Sequence, residues 1–105
     1  MQLTSFKFRG LDGGGVWHYG FLTIIPQQGV YINSVSVIPF TVGMYVGDKD
    51  GSLNEIYEGD IICSVLDGKV YKIQFPHGNI SKGCAPLQTR QGKEFKIIGN
   101  IYQNN

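Results

Sequence analysis

Residues 41–62 read TVGMYVGDKDGSLNEIYEGDII, and this stretch decides the fold of the chain. It holds five of the eight acidic residues between two apolar runs, and four glycines interrupt it. Short runs of Val, Ile and Tyr separated by Gly, Asp and Asn are typical of strands joined by tight turns. The stretch therefore predicts a tightly turned β-element with its carboxylates at the bends.

The acidic residues of this stretch are predicted to support the turns. Asp48 and Asp50 are expected to accept hydrogen bonds from nearby backbone N–H groups, as Asx residues do in loops. Asp60 is expected to do the same at a strand entrance, next to Gly59 at positive φ. The alternative is an acid–base pair, since Glu58 and Asp60 would share one side of an extended segment and could serve a hydrolase.

No catalytic residue, metal site or cofactor is predicted. An EF-hand loop placed on Gly51 would require Val46 and Tyr57 at ligand positions that their side chains cannot fill. The two histidines and two cysteines have none of the spacings of a zinc site. Cys84 lies in a predicted loop and is the more reactive thiol candidate, although no base partner is apparent.

Outward from the central stretch, the pattern predicts strands throughout and at most one short helix or 3₁₀ turn. Turns are expected at Asp12–Gly15 and at Asp67-Gly68, because Gly tolerates positive φ and Asp-Gly favours tight hairpins. The predicted strands cover residues 16–25, 29–38, 42–46, 61–66 and 70–75, and a last strand is formed by Phe95, Ile97 and residues 98–102. Residues 76–92 are predicted as a loop. We therefore expect a mainly β fold, with a β-rich α+β fold as the alternative.

Charge is sparse and unevenly distributed. Charged residues make up 16% of the chain, against roughly 25% in ordinary globular proteins, and the net charge is +1. Nucleic acid is therefore a less favoured partner, but the mildly basic region from Lys69 to Lys96 keeps it open as an alternative. No apolar run approaches the ~20 residues of a membrane span, so no membrane association is expected.

Aromatic and arginine side chains are the candidate binding groups, because a nucleobase stacks on planar rings and on a guanidinium. The alternative is that most of these rings simply pack in the core or on a sheet face. The candidate ligand-binding residues are Arg9, Trp17, Tyr19, Tyr45, Tyr57 and Arg90.

Four stretches of the chain together resemble the YopX-like proteins of temperate bacteriophages and prophages. They are Lys7-Phe8-Arg9-Gly10, Trp17-His18-Tyr19-Gly20, residues 41–62 and the closing Ile98–Asn104. The resemblance runs collinearly over nearly the whole chain. It implies an N-terminal β-rich portion, residues 1–40, joined to a small SH3-like barrel portion, residues 41–105, in one compact unit.

The resemblance also implies a phage or prophage origin and the host bacterial cytoplasm as location, and it supplies no catalytic residue. We therefore expect a non-enzymatic accessory protein that antagonises host machinery or defence. The preferred hypothesis is a homo-oligomer that sequesters a small nucleotide-like signal. The alternatives are an SH3-like module that binds a host protein or nucleic acid, and a hydrolase.

Overall fold

The structure, a computed structural model, describes residues 7–73 and 91–103, and these residues form a mainly antiparallel β fold. One of its sheets is curled into a half-barrel. The strands are β1 (Phe8–Leu11), β2 (Trp17–Gly20), β3 (Leu22–Ile25), β4 (Gly29–Ile32), β5 (Val35–Val37), β6 (Gly43–Lys49), β7 (Glu55–Tyr57), β8 (Asp60–Ser64), β9 (Val70–Lys72) and β10 (Phe95–Asn100). The predicted mainly β class is confirmed.

Two 3₁₀ turns, Pro39–Thr41 and Gly92–Glu94, occur in the described residues, so the expectation of at most one was wrong. The predicted loop at 76–92 lies outside the described residues except for its end. No helix in the described part of the chain is long and apolar enough to cross a membrane. The chain divides into two compact units, Met1–Tyr45 and Val46–Asn105, and the division proposed at residue 40 stays a prediction.

In the first unit, β1 and β2 form a hairpin whose turn is held by Asp12. The N–H of Asp12 donates to the carbonyl of Val16, and the N–H of Gly15, which has φ of 84°, donates to the carbonyl of Asp12. The predicted turn at Asp12–Gly15 is therefore confirmed. The other side of β1 pairs with the start of β6, where Arg9 lies opposite Gly43.

The predicted strands at 16–25 and 29–38 are each two strands, which corrects the sequence prediction. The first breaks at Gly20, whose φ is 150°, and β3 then pairs with β4 and not with β1. The second breaks at Asn33 and Ser34, which have φ of 51° and 69° and connect β4 to β5 as a two-residue hairpin. Two adjacent residues with positive φ form the turn that folds β5 back on β4, and the bend at Gly20 leads the chain from one sheet into another.

The second unit is built on β8, which pairs with β10 on one side and with β9 on the other. Ile62 of β8 lies opposite Tyr71 and Ile97, so all three side chains face the same side of the sheet. That side packs on the core of the unit, whose fully buried members are Ile56, Ile62, Ile73 and Phe95. Burial of each such side chain stabilises the fold by roughly 1.5–3 kcal/mol.

A turn at Asp67-Gly68 between β8 and β9 is confirmed, although the loop is longer than predicted, because β8 ends at Ser64 and not at residue 66. Gly68 has φ of 74°, and its N–H donates to the carbonyl of Ser64 at 2.9 Å. The carboxylate of Asp67 accepts a hydrogen bond from the N–H of Lys69 at 3.0 Å. The turn therefore sets the register of the hairpin, with Cys63 opposite Val70.

Candidate ligand-binding face

Strands β2, β1 and the start of β6 bring a row of aromatic and cationic side chains to one side of the first unit. Arg9 lies opposite Tyr19 on β2, and Leu11 lies opposite Trp17. On β6, the N–H of Tyr45 donates to the carbonyl of Lys7 at 2.8 Å, which places these two residues opposite each other. Directly opposite residues in an antiparallel pair face the same side. The row, called the aromatic face below, consists of Lys7, Arg9, Trp17, Tyr19 and Tyr45.

Each of the two cations on this face lies over a ring. The guanidinium carbon of Arg9 is 4.2 Å from the centroid of the Trp17 ring, and Lys7 Nζ is 5.7 Å from the centroid of Tyr45. Arg9 is 5% exposed, so its contact with Trp17 is largely shielded from water. Such contacts contribute about 0.5–1 kcal/mol at exposed sites and about 2 when desolvated. The rings are therefore held in orientation before any ligand arrives.

Tyr19 is the most accessible ring of the aromatic face, with 47% of its surface exposed. Its backbone is fixed by Asn33, whose side-chain amide donates to the carbonyl of Tyr19 at 2.7 Å. The side-chain oxygen of Asn33, Oδ1, accepts a hydrogen bond from the backbone N–H of Phe21 at 3.1 Å. A Cβ at Gly20 would overlap this amide, so glycine is needed between the two bonded residues. The bend therefore presents Tyr19 at the rim of the face.

A second polar contact, between His18 and Asp12, lies at the end of the β1–β2 hairpin. His18 Nε2 is 2.9 Å from Asp12 Oδ2, and the other carboxylate oxygen accepts from the N–H groups of Gly14 and Val16. The hydrogen bond to His18, followed by that from Val16, lowers the pKa of Asp12. Because three groups share this carboxylate, it acts as a support of the turn.

Four of the six predicted binding residues come together on the aromatic face: Arg9, Trp17, Tyr19 and Tyr45. Tyr57 lies in the second unit, is 1% exposed and donates through its hydroxyl to Glu55 at 2.8 Å. Arg90 lies outside the described residues. The sequence prediction missed Lys7, although its place two residues before Arg9 on a strand was a signal that both face the same side.

The carboxylates of the acidic loop hold backbone groups, as predicted. Asp48 accepts from its neighbour Lys49 at 2.8 Å and from the distant Gly92 at 2.7 Å. Asp60, which is 2% exposed, accepts from the N–H of Tyr57 at 2.7 Å, and the intervening Gly59 has φ of 97°. The turn between β7 and β8 is therefore formed as the sequence indicated.

Asp50 is the most heavily engaged carboxylate of the loop. One oxygen accepts from the N–H groups of Ser52 and Asn54 at 2.9 Å, and the other accepts from Ile97 at 3.1 Å. Burial raises the pKa of Asp50, but the hydrogen bonds from Asn54, Ile97 and Ser52 outweigh it and lower the pKa overall. Among the described residues, no group of three or more His, Cys, Asp or Glu side chains is placed to hold a metal ion.

The second unit has a basic outer face, on the side of β8 opposite to Ile62. Lys72 lies opposite Ile61, and Lys96 and Val70 lie opposite Cys63 on either side of β8. Both lysines are exposed, as is Val70 at 58%. The face combines two positive charges with apolar surface. The two charges would attract a polyanion only modestly.

A family model described as YopX protein matches residues 18–105 of the chain. The match begins at His18, so it includes Tyr19 and Tyr45 of the aromatic face, whereas Arg9 and Trp17 precede it. No curated protein sequence matches the chain.

Proposed function

The chain belongs to the YopX protein family, and from that premise we propose that it is a non-enzymatic binding protein of phage or prophage origin. It acts by occupancy in the cytoplasm of the bacterial host, as a homo-oligomer that sequesters a small nucleotide-like ligand. By removing that ligand it antagonises host machinery or host defence. The aromatic face is the binding site in this proposal.

One observation carries the proposal: two rings already oriented by cations lie beside an exposed third ring. Tyr19 offers a stacking surface for a base, and base–aromatic stacking contributes roughly 1–3 kcal/mol per base. Lys7, at the same face, supplies a positive charge for a phosphate. Arg9 is 5% exposed, so its role is to hold the Trp17 ring and not to contact phosphate directly.

The engagement of the acidic loop supports a protein without catalytic turnover. A hydrolase built on Glu58 and Asp60 requires a carboxylate that can reach a substrate, whereas Asp60 is 2% exposed and accepts a backbone N–H. The two ideas differ in the outcome of Asp60→Asn. Our proposal expects a lower melting temperature, and a hydrolase expects an intact fold that has lost turnover.

Binding is tested by calorimetric titration of the purified protein with a panel of linear and cyclic nucleotides, after a melting-temperature screen. We expect at least one nucleotide to bind, and Tyr19→Ala to weaken its affinity by a factor of about 5 to 160, since loss of stacking costs about 1–3 kcal/mol. Phe40→Ala is the matched control, because Phe40 is an exposed aromatic residue of the same unit outside the aromatic face. The proposal fails if no nucleotide binds, or if both variants bind like the parent.

The second candidate function is nucleic-acid binding through the basic outer face, favoured by the placement of Lys72 and Lys96 on one side of the β8 sheet. It predicts an affinity for DNA or RNA that falls steeply with salt, because phosphate contacts release counterions. Replacement of both lysines by Gln should reduce that slope. Absent or salt-insensitive binding excludes it. An SH3-like module that binds a host protein remains a proposal of lower rank, since no described contact singles out such a partner.

A further inference from the structure

Strand β3 is an edge strand of the three-stranded sheet β3–β4–β5 within the described residues. The carbonyls of Phe21 and Ile25 accept from Asn33 and Gln28, so the polar groups of the odd-numbered residues point toward β4. Backbone polar groups alternate in direction along an antiparallel strand. The N–H and C=O groups of Leu22 and Ile24 therefore point outward, where they can pair with another strand.

The side chains along this edge are apolar and accessible. Phe21 is 78% exposed, Ile24 65% and Ile25 38%. The chain contains no Asp, Glu, Lys or Arg between Asp12 and Asp48. Natural proteins usually protect an edge strand with charged side chains, especially lysine, and this edge has none.

We propose that β3 pairs antiparallel with β3 of a second copy of this chain, about a two-fold axis at Thr23. The outward groups restrict the hydrogen-bonded pairs to even-numbered residues, and among these registers the one that joins Leu22 of each copy to Ile24 of the other pairs the whole edge with itself. Thr23 then lies opposite Thr23, and Phe21 opposite Ile25. Residues 21–25 are all matched in this register, and the same surface serves both copies, as a two-fold interface requires.

A groove next to the edge can receive the exposed Phe21 ring of a second copy. It has a volume of about 240 Å³ and is lined by Thr23, Ile25, Tyr31 and Ser34. Phe21, Thr23 and Ile25 share one side of the strand by alternation. In the proposed register the Phe21 ring of one copy therefore packs over Ile25 at the groove of the other.

A second copy fits this edge better than an unrelated strand does. A self-pair of an uncharged edge suffers no like-charge repulsion, and each copy offers both the protruding ring and the groove that receives it. The paired segment has far fewer residues than the roughly 20–30 a side of a standard interface, so we expect a dimer that depends on concentration. This inference deepens the proposed function, on which it rests for the idea of an oligomer, by naming the subunit contact.

The test measures mass in solution over a concentration series, by light scattering and native mass spectrometry. Thr23→Lys places two ammonium groups next to each other at the axis. Ile24→Pro removes an outward N–H and leaves the β3–β4 hydrogen bonds in place, since Pro is tolerated on an edge whose N–H faces solvent. Ser36→Lys on β5 is the matched control, because Ser36 is exposed on the same sheet and lies opposite Tyr31 at its other edge.

We expect the parent to dimerise, and both β3 variants to raise the dimer dissociation constant at least tenfold. The Ser36→Lys variant should dimerise like the parent. The melting temperature of each variant's monomer should stay near that of the parent. In a background of Cys63→Ser and Cys84→Ser, Thr23→Cys should form a disulfide-linked dimer and Ser36→Cys should not, since the two Thr23 positions would lie about 5 Å apart. A chain that is monomeric throughout, a dimer that ignores the β3 variants, or pairing of β3 with an unrelated polypeptide instead overturns the inference. Nucleotide titration of the same samples separates the two proposals, because an oligomer that binds nucleotide and ignores the β3 variants overturns only the contact.

Discussion

The carboxylate of Asp50 accepts a hydrogen bond from the N–H of Ile97 at 3.1 Å, across 47 positions of sequence. The neighbouring Gly51 donates through its N–H to the carbonyl of Phe95 at 3.0 Å. The turn after β6 is thereby fastened to β10, the strand that contributes Phe95 to the core. Asp50 is 2% exposed, so these bonds are shielded from water and are the more costly to lose.

Replacing Asp50 by asparagine should destabilise the protein by about 1.5–3 kcal/mol, the range for hydrogen bonds to charged groups. The amide puts an NH₂ group where one carboxylate oxygen accepted, so at least one backbone N–H loses its acceptor. Urea unfolding of the Asp50→Asn variant measures the loss. Asp67→Asn is the control, because Asp67 is exposed in a turn where asparagine is equally suitable, and its effect should stay within about 0.5 kcal/mol. Equal effects of the two substitutions would contradict this role of Asp50.

The lowered pKa of Asp50 predicts how stability depends on pH. Its contribution is complete above the unfolded-state pKa of about 3.9 and is lost as the pH falls through the lower folded-state pKa. Asp12, whose pKa is also lowered, adds a loss of the same sign. We expect the melting temperature to fall as the pH drops below about 4, and to fall less in Asp50→Asn. Parallel curves for parent and variant would show that another carboxylate dominates.

Gly20→Ala should destabilise the protein by disrupting the bend between β2 and β3. Alanine at φ of 150° is strained, and its Cβ would overlap the Asn33 amide that joins Tyr19 to Phe21. We expect a loss of about 1–3 kcal/mol in thermal or urea unfolding. Gly13→Ala is the matched control, since no atom lies within 4 Å of the position of its Cβ. A Gly20→Ala variant as stable as Gly13→Ala would show that the bend tolerates a side chain.

Tyr57→Phe separates a structural role from a binding role for this buried residue. The substitution removes the hydroxyl that donates to Glu55 at 2.8 Å and keeps the ring. Loss of one hydrogen bond should lower the free energy of unfolding by about 1 kcal/mol. Nucleotide affinity should stay at the value of the parent, because the ring is 1% exposed. A change in nucleotide affinity with an unchanged free energy of unfolding would show that Tyr57 takes part in binding.

Turn chemistry explains why much of the second unit could be predicted from the sequence. Gly59 and Asp60 combine positive φ with a side-chain acceptor, and Gly68 supplies the positive φ at the end of the loop between β8 and β9, where Asp67 accepts from the N–H of Lys69. These signals are local, because the turn residues themselves adopt the conformation that they predict. The contact between Asp50 and Ile97 is not local, and only the fold reveals it.

The breaks at Gly20 and at Asn33 were missed because apolar content continues through them. A run of Val, Ile and Tyr predicts extended backbone, and it does not reveal where the chain changes sheets. The break at Gly20 depends on Asn33, which is 13 positions away and itself adopts φ of 51°. The aromatic face was predicted only as a set of residues, because the register that gathers them depends on pairing between distant strands.

The position of β10 behind β8 and β9 in the chain has a consequence for the order of folding. Ile97 follows its partner Ile62 at a long distance in sequence, whereas β8 and β9 are neighbours joined by a short loop. Contacts between neighbouring segments close quickly, and long-range strand pairings form more slowly. A chain in which β10 has not yet paired would therefore leave Ile62 uncovered, and such an intermediate is the one most exposed to aggregation.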